Sequence, residues 1–251
     1  MEIADFYNTI HKRKSIRKYI NESLAEKTLN KISSYMNKVT SLDDDIEIEM
    51  KIVSGKDVRN FLLIKAPYYI LFFSEKKEGY LNNAGFMLQQ VDLFLSANEI
   101  GSCWVGLAKP KKEIKERSNL EYVIAMAFGK PNDKIHRERK SEFKRKNIEQ
   151  IRDGSGKDKI IEAVRLSPSA TNSQPWFFKV VDDKIHIYCV EVNFIKAIFY
   201  RKLNKIDMGI AIYHLWIAAR YFDEDPEMIF DEFAADNPPR GYYYISTLNL
   251  R

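Results

Sequence analysis

The feature that most constrains this 251-residue chain is an order of elements that is met twice. Each half opens on an amphipathic helix, marked by Leu29 and Ile32 in the first and by Ile160, Ile161 and Val164 in the second. A strand follows in both. Glu47 to Val53 alternates with period two, and Trp176 to Val181 is aromatic and β-branched, the composition of a pleated, partly buried surface. A long helix comes next, with Ala84, Leu88, Val91 and Leu95 on one face in the first half and Ile206, Ile210, Tyr213 and Ile217 in the second. Before each stands a glycine-bearing tripeptide that reads as a turn, Asn83-Ala84-Gly85 and Asp207-Met208-Gly209. Each half then closes on a strand, Tyr122 to Phe128 and Tyr242 to Leu248, and the first carries one more, Tyr68 to Phe73, apolar enough for a sheet interior covered on both faces. Arg152 to Asp158 is the most linker-like segment and divides the chain into halves at 1–151 and 157–251. The expected fold class is α+β, two similar halves forming an intrachain pseudo-dimer. A single α+β domain with a coincidental repeat is the alternative.

Hydrophobic residues at 45% and charged residues at 30% suit a folded chain with a substantial core. The net charge of +5 is spread over a mixed surface, so no nucleic-acid partner is expected. Phe61 to Phe73, the longest apolar stretch, is broken by Lys65 and Pro67 and falls short of a membrane span, and the amino terminus lacks a secretory pattern, so a cytoplasmic location without membrane attachment is expected. Cys103 and Cys189 read as buried, reduced thiols, and four scattered histidines give no metal signature. His186 and His214 sit among apolar residues and read as core or edge histidines, Asp43-Asp44-Asp45 as a polar turn, and Gly154-Ser155-Gly156 as a loop without the strand that a dinucleotide fingerprint requires.

Two segments carry chemistry. Arg13-Lys14-Ser15-Ile16-Arg17 offers two guanidinium forks and a hydroxyl within five residues, a donor set that can converge on a phosphate. Ser167-Pro168-Ser169-Ala170-Thr171-Asn172-Ser173-Gln174-Pro175-Trp176 joins a helix to a strand, and its two prolines are expected to hold the intervening backbone extended. Its polar side chains suit a planar polar ligand or a sugar-like chain, or else cap the two elements they join. The basic stretch Arg137 to Lys146 reads first as a solvated surface segment.

Arg-x-Ser-x-Arg near the amino terminus, combined with a helix leading into Ser-Pro-Ser-x-x-Asn-x-Gln-Pro-Trp, resembles the FMN-dependent nitroreductase superfamily. The closer likeness is to its subgroup of putative TM nitroreductase type, in which two reductase-like halves share one chain. Ile100 to Gly106 looks like the segment that follows the long central helix in that family. The resemblance implies a nitroreductase-like fold, with Arg13, Lys14 and Ser15 at the FMN phosphate and Arg139 or Lys140 completing its cradle. It implies Arg17 at the pyrimidine edge, where its charge tunes the reduced ring and makes it the candidate catalytic residue. Trp104, Val105 and Gly106 would approach the isoalloxazine edge, and Pro168, Ser169, Ala170 and Asn172 the ribityl chain and ring.

The first half keeps the Arg-Ser-Arg cluster, but Ser33 to Thr40 has lost both prolines and the Gln-Pro-Trp; the second half keeps the loop without the cluster. One composite flavin site per chain is therefore expected, together with a monomer. The implied activity is ping-pong hydride transfer from NADH or NADPH through FMN to a small-molecule acceptor, nitroaromatic or quinone-like. A non-catalytic flavin-binding or sensor protein, and a flavin-free interaction protein, are the rival readings.

Overall fold

The computed structural model describes residues 2–60, 64–192 and 197–251. Phe61, Leu62 and Leu63, which open the apolar run, lie outside the described residues. In chain order the elements are α1 (Ile3–Ile10), α2 (Glu26–Met36), β1 (Ile48–Ser54), β2 (Val58–Arg59), β3 (Tyr68–Ser74), α3 (Tyr80–Ala97), β4 (Gly101–Val105), β5 (Lys109–Pro110), α4 (Lys112–Lys115) and β6 (Glu121–Gly129). They continue with β7 (Arg152–Asp153), α5 (Asp158–Arg165), β8 (Trp176–Val181), β9 (Lys184–Val190), α6 (Ala197–Tyr221), β10 (Pro226–Ile229), α7 (Glu232–Asp236) and β11 (Tyr242–Leu250). No described helix is long and apolar enough to cross a membrane.

The chain forms two compact units, Lys12–Lys140 and a second made of Met1–His11 with Ser141–Arg251. The boundary thus falls at residue 140 and not near 155, and the first eleven residues belong with the carboxyl-terminal part. Two contacts account for this. α1 packs on α6, with Tyr7 stacked on Tyr221 at a ring-centroid distance of 4.0 Å. The supposed linker begins inside a sheet, because Arg152 and Asp153 pair in parallel with Phe178 and Lys179 of β8. Gly154 then runs against the β8 backbone so closely that an added Cβ would lie 2.2 Å from the Val180 carbonyl oxygen, and its φ of +84° is one that glycine adopts without strain.

In Lys12–Lys140 the main sheet has the order β1-β3-β6-β4, with every neighbour antiparallel. β3 is interior and buried along almost its whole length, as its apolar run requires. Leu71 and Tyr69 face the small residues Ala125 and Ala127 of β6, which leaves room for the larger side chains to interdigitate. α3 starts at Tyr80, so Asn83-Ala84-Gly85 is helical and not a turn, and Asp207-Met208-Gly209 likewise lies inside α6. A helix-interior glycine costs about 1 kcal/mol relative to alanine. Burying one large apolar side chain returns about 1.5–3 kcal/mol, and Leu88, Val91 and Leu95 are all fully buried.

In the other unit the sheet order is β10-β11-β9-β8-β7. Trp176, Phe178 and Val180 turn alternately inward along β8, and Ile185, Ile187 and Cys189 are buried on β9. Matching α2-β1-β3-α3-β4-β6 to α5-β8-β9-α6-β10-β11 gives four strands the same order and direction in both sheets, and β7, parallel to β8, is an addition to the second. Even an irregularity repeats. β6 carries one extra residue, Val123, against β3, and β11 carries one extra residue, Ile245, against β9. A shared bulge in the matched strand pair is what duplication of an ancestral unit leaves behind.

Candidate functional site

In the Lys12–Lys140 unit the Arg13 to Arg17 segment runs beside β4, where the Ile16 amide donates to the Ser102 carbonyl at 2.8 Å. Gly101 makes this approach possible. A Cβ there would sit 2.9 Å from two carbons of Ile16, so Gly101→Ala should destabilise the unit by about 1–3 kcal/mol, read as a lowered urea midpoint at unchanged slope. Arg13 also bridges to His136, the Arg137 amide donates to the Lys12 carbonyl at 2.8 Å, and the Arg137 guanidinium donates to the Arg13 carbonyl. The motif, β4 and the start of the basic stretch therefore converge.

Arg13 is only 3% exposed. Its Nε donates to Asp92 Oδ2 at 2.6 Å, and Asp92, fully buried on α3, accepts from Ser102 Oγ at 2.5 Å through its other oxygen. Arg13 Nη2 donates to Ser15 Oγ at 3.2 Å, while Nη1 makes no hydrogen bond among the described residues. Lys14 pairs with the exposed Asp133 at 3.3 Å, and Arg17 is exposed. Burial pushes the Cys103 thiol up, with the charges of Arg17 and Arg13 pulling the other way. Trp104 is half-buried with its indole N–H lacking a partner among the described residues, Val105 is buried, and Gly106, Arg139 and Lys140 are exposed. Asp92 and Ser102 escaped sequence reading. The available signal was a lone acid between Val91 and Leu93 on a helix with no other charged residue.

In the other unit the proline-bounded segment is not extended as expected. Ser169 is extended, but Ala170–Asn172 forms a 3-10 turn in which the Asn172 and Ser173 amides donate back to the Ser169 and Ala170 carbonyls. Thr171, Asn172 and Gln174 have φ of 53°, 59° and 50°, all left-handed. Proline steers its predecessor only by steric preference, and at Gln174 a set of hydrogen bonds outweighs it. The Gln174 amide donates to Ser169 Oγ at 3.0 Å, its Oε1 accepts from the Lys146 amide at 2.7 Å, and its carbonyl accepts from Lys146 Nζ at 3.0 Å. Asn172 Oδ1 accepts from Arg145 at 2.5 Å, so the end of the basic stretch braces the loop and is not simply solvated surface. Each non-glycine residue held in this region costs of order 1–3 kcal/mol, and such strain gathers at ligand sites.

Asp207 of α6 lies under this turn, 4% exposed, and accepts the Ala170 amide at 3.1 and 3.0 Å through its two oxygens. Burial pushes its carboxyl well above the usual range, with the Ala170 amide opposing. Pro168 is buried and Ser169 and Ala170 are half-buried. Ser167 Oγ and the Trp176 indole N–H are buried without a partner.

A family model described as "Putative TM nitroreductase" matches residues 5–219. The chain belongs to this family. Among solved structures, a putative nitroreductase from Thermotoga maritima is 24% identical, matched over 100% of this chain and 94% of that one, with a TM-score of 0.66. A nitroreductase family protein from Clostridium novyi NT is 22% identical over 53% of this chain and 87% of that one, at a TM-score of 0.42. An FMN-dependent nitroreductase from Clostridium difficile R20291 is 20% identical over 54% and 93%, at 0.44. No curated protein matches. The Thermotoga likeness runs the length of the chain, so the nitroreductase fold extends over both repeats, and the family match takes in both candidate segments.

Proposed function

We propose that the protein is an FMN-dependent NAD(P)H oxidoreductase of nitroreductase type, passing electrons to a small acceptor that is nitroaromatic or quinone-like. The observation that carries this reading is the family match across residues 5–219, which includes both the Arg-Ser-Arg segment and the proline-bounded loop. The donors suit a flavin phosphate and its ring. Arg13 Nη1 and the Trp104 indole N–H are unclaimed, Arg17 is exposed, and the loop holds a strained turn that a ligand would exploit. Arg13, Lys14 and Ser15 would hold the phosphate with Arg139 and Lys140, Trp104 to Gly106 would meet the ring edge, and Pro168, Ser169, Ala170 and Asn172 would lie along the ribityl chain and ring. When bound, FMN would supply hydride acceptance at N5 from NADH or NADPH and reoxidation by the second substrate. Arg17 would stabilise negative charge at the pyrimidine edge.

The purified protein should be yellow with about one FMN per chain, because each repeat keeps only one of the two motifs. Anaerobic NADPH or NADH should bleach it. Two FMN per chain, or none after incubation with FMN, would sink the proposal. Arg17→Ala should slow flavin reduction roughly 10–100-fold, in line with loss of one electrostatic donor, while shifting FMN affinity less than about threefold. Unchanged reduction rates would remove Arg17 from the mechanism. The lost motif in the first repeat favours one rival, a flavin-binding sensor, for which neither nicotinamide would bleach the bound cofactor. The repeat, which supplies a second copy of the fold within one chain, also supports a monomer, checked by size-exclusion chromatography, and the expected cytoplasmic location is checked by cell fractionation.

A further inference from the structure

The two repeats fasten the same loop in the same way. In Lys12–Lys140 the loop between the first helix and first strand, residues 37–47, is held by Asn83 of α3. Asn83 Oδ1 accepts the Leu42 amide at 2.8 Å and the Asp43 amide at 3.4 Å. In the other unit the matching connection is the proline-bounded loop, held by Asp207 of α6 through the Ala170 amide. Asn83 and Asp207 are equivalent by sequence as well, each standing two residues before a glycine of its long helix. Both are buried. Seven positions further along, two helical turns on the same face, each helix carries a second buried polar residue with a backbone partner, in the loop in one unit and on α5 itself in the other. Gln90 clasps Thr40, accepting its amide at 3.0 Å and donating to its carbonyl at 2.6 Å, and His214 Nδ1 lies 3.0 Å from the Ala163 carbonyl of α5.

We infer that Asp207 is a positioning residue, the counterpart of Asn83, that fixes the Ala170 amide and thereby sets the left-handed turn at Thr171 and Asn172 in its ligand-accepting form. Asn83 accepts the loop amides with a neutral amide oxygen, its Nδ2 also donating to the Asp43 carbonyl at 3.3 Å, so the amide-accepting role requires an acceptor oxygen and no charge. As far as it concerns FMN, this inference rests on the reading proposed above.

Two variants test the role. Asp207→Asn keeps the acceptor, and Asp207→Leu removes it at similar volume. Hydrogen exchange of the 167–175 segment, followed by mass spectrometry without added flavin, should be within threefold of wild type in Asp207→Asn and at least tenfold faster in Asp207→Leu. FMN affinity, from quenching of flavin fluorescence, should follow the same split. Loss of loop protection or a tenfold loss of affinity in Asp207→Asn would overturn the inference, even if Asp207→Leu fails to fold. So would a folded Asp207→Leu that matches wild type in both readings. If wild type takes up no FMN, the proposed function fails, while the exchange measurement still decides whether Asp207 holds the loop.

Discussion

Arg13→Ala is expected to lower stability by about 3–5 kcal/mol, because it leaves Asp92 as an uncompensated charge in a fully buried position. At roughly 2–4 °C per kcal/mol for a chain of this size, thermal unfolding should begin roughly 6–20 °C lower. The ion pair itself need not be stabilising, since removing two charges from water costs about as much as their attraction returns. Arg13→Met combined with Asp92→Leu and Ser102→Ala should therefore recover most of the loss, as the last change removes the hydroxyl that Asp92 accepts. If the combined variant falls by the sum of its single changes, the three groups are not one network. The result also bears on the cofactor. Flavin lost from Arg13→Ala cannot be assigned to a missing phosphate contact, because the same change withdraws the brace under Ser15 and the segment beside β4. A stable triple variant with weakened FMN affinity would separate the loss of the guanidinium from the loss of fold stability, though not Nη1 from the brace on Ser15.

The elements that reveal themselves in sequence are those with a strong period. β3, β6, β8, β11 and the apolar faces of α3 and α6 are legible because each buries a continuous face, and burial writes its spacing into the chain. β4, with Gly101, Ser102 and Cys103, has little β-forming character and is a strand because β6 offers it an edge. β9 is legible, with Ile185, Ile187, Tyr188 and Val190 as strand formers, whereas the short β10 is specified by pairing with β11 more than by its own residues. Unit boundaries are hidden for the same reason, since the place of the first eleven residues depends on Tyr7 meeting Tyr221 across the length of the chain. At the candidate site the exposed motif residues are visible and their supports are not. Asp92, Asn83 and Asp207 are single polar residues on buried helical faces, and a sequence does not say whether such a residue reaches water or a backbone amide. The turn at Thr171 and Asn172 is hidden too. Two prolines argue for extension, and only the surrounding hydrogen bonds reverse the argument.

Asp207→Asn should also raise stability at alkaline pH while leaving it nearly unchanged in acid. An aspartic acid in the unfolded chain titrates near 3.9. Burial holds the folded carboxyl well above that, and the Ala170 amide offsets only part of the effect. A group whose pKa rises on folding contributes stability fully present below the unfolded value. That contribution is lost as pH rises through the folded value, because the folded state must then either keep a proton the unfolded state gives up or bury a charge. Asparagine removes the titration and keeps the acceptor oxygen, so the difference in urea midpoint between variant and wild type should be close to zero near pH 4 and grow steadily in favour of the variant toward pH 8. Parallel pH profiles for the two proteins would assign the titration to other carboxylates and imply that Asp207 is ionised without penalty. The equivalence with a neutral Asn83 would then hold for geometry but not for energy.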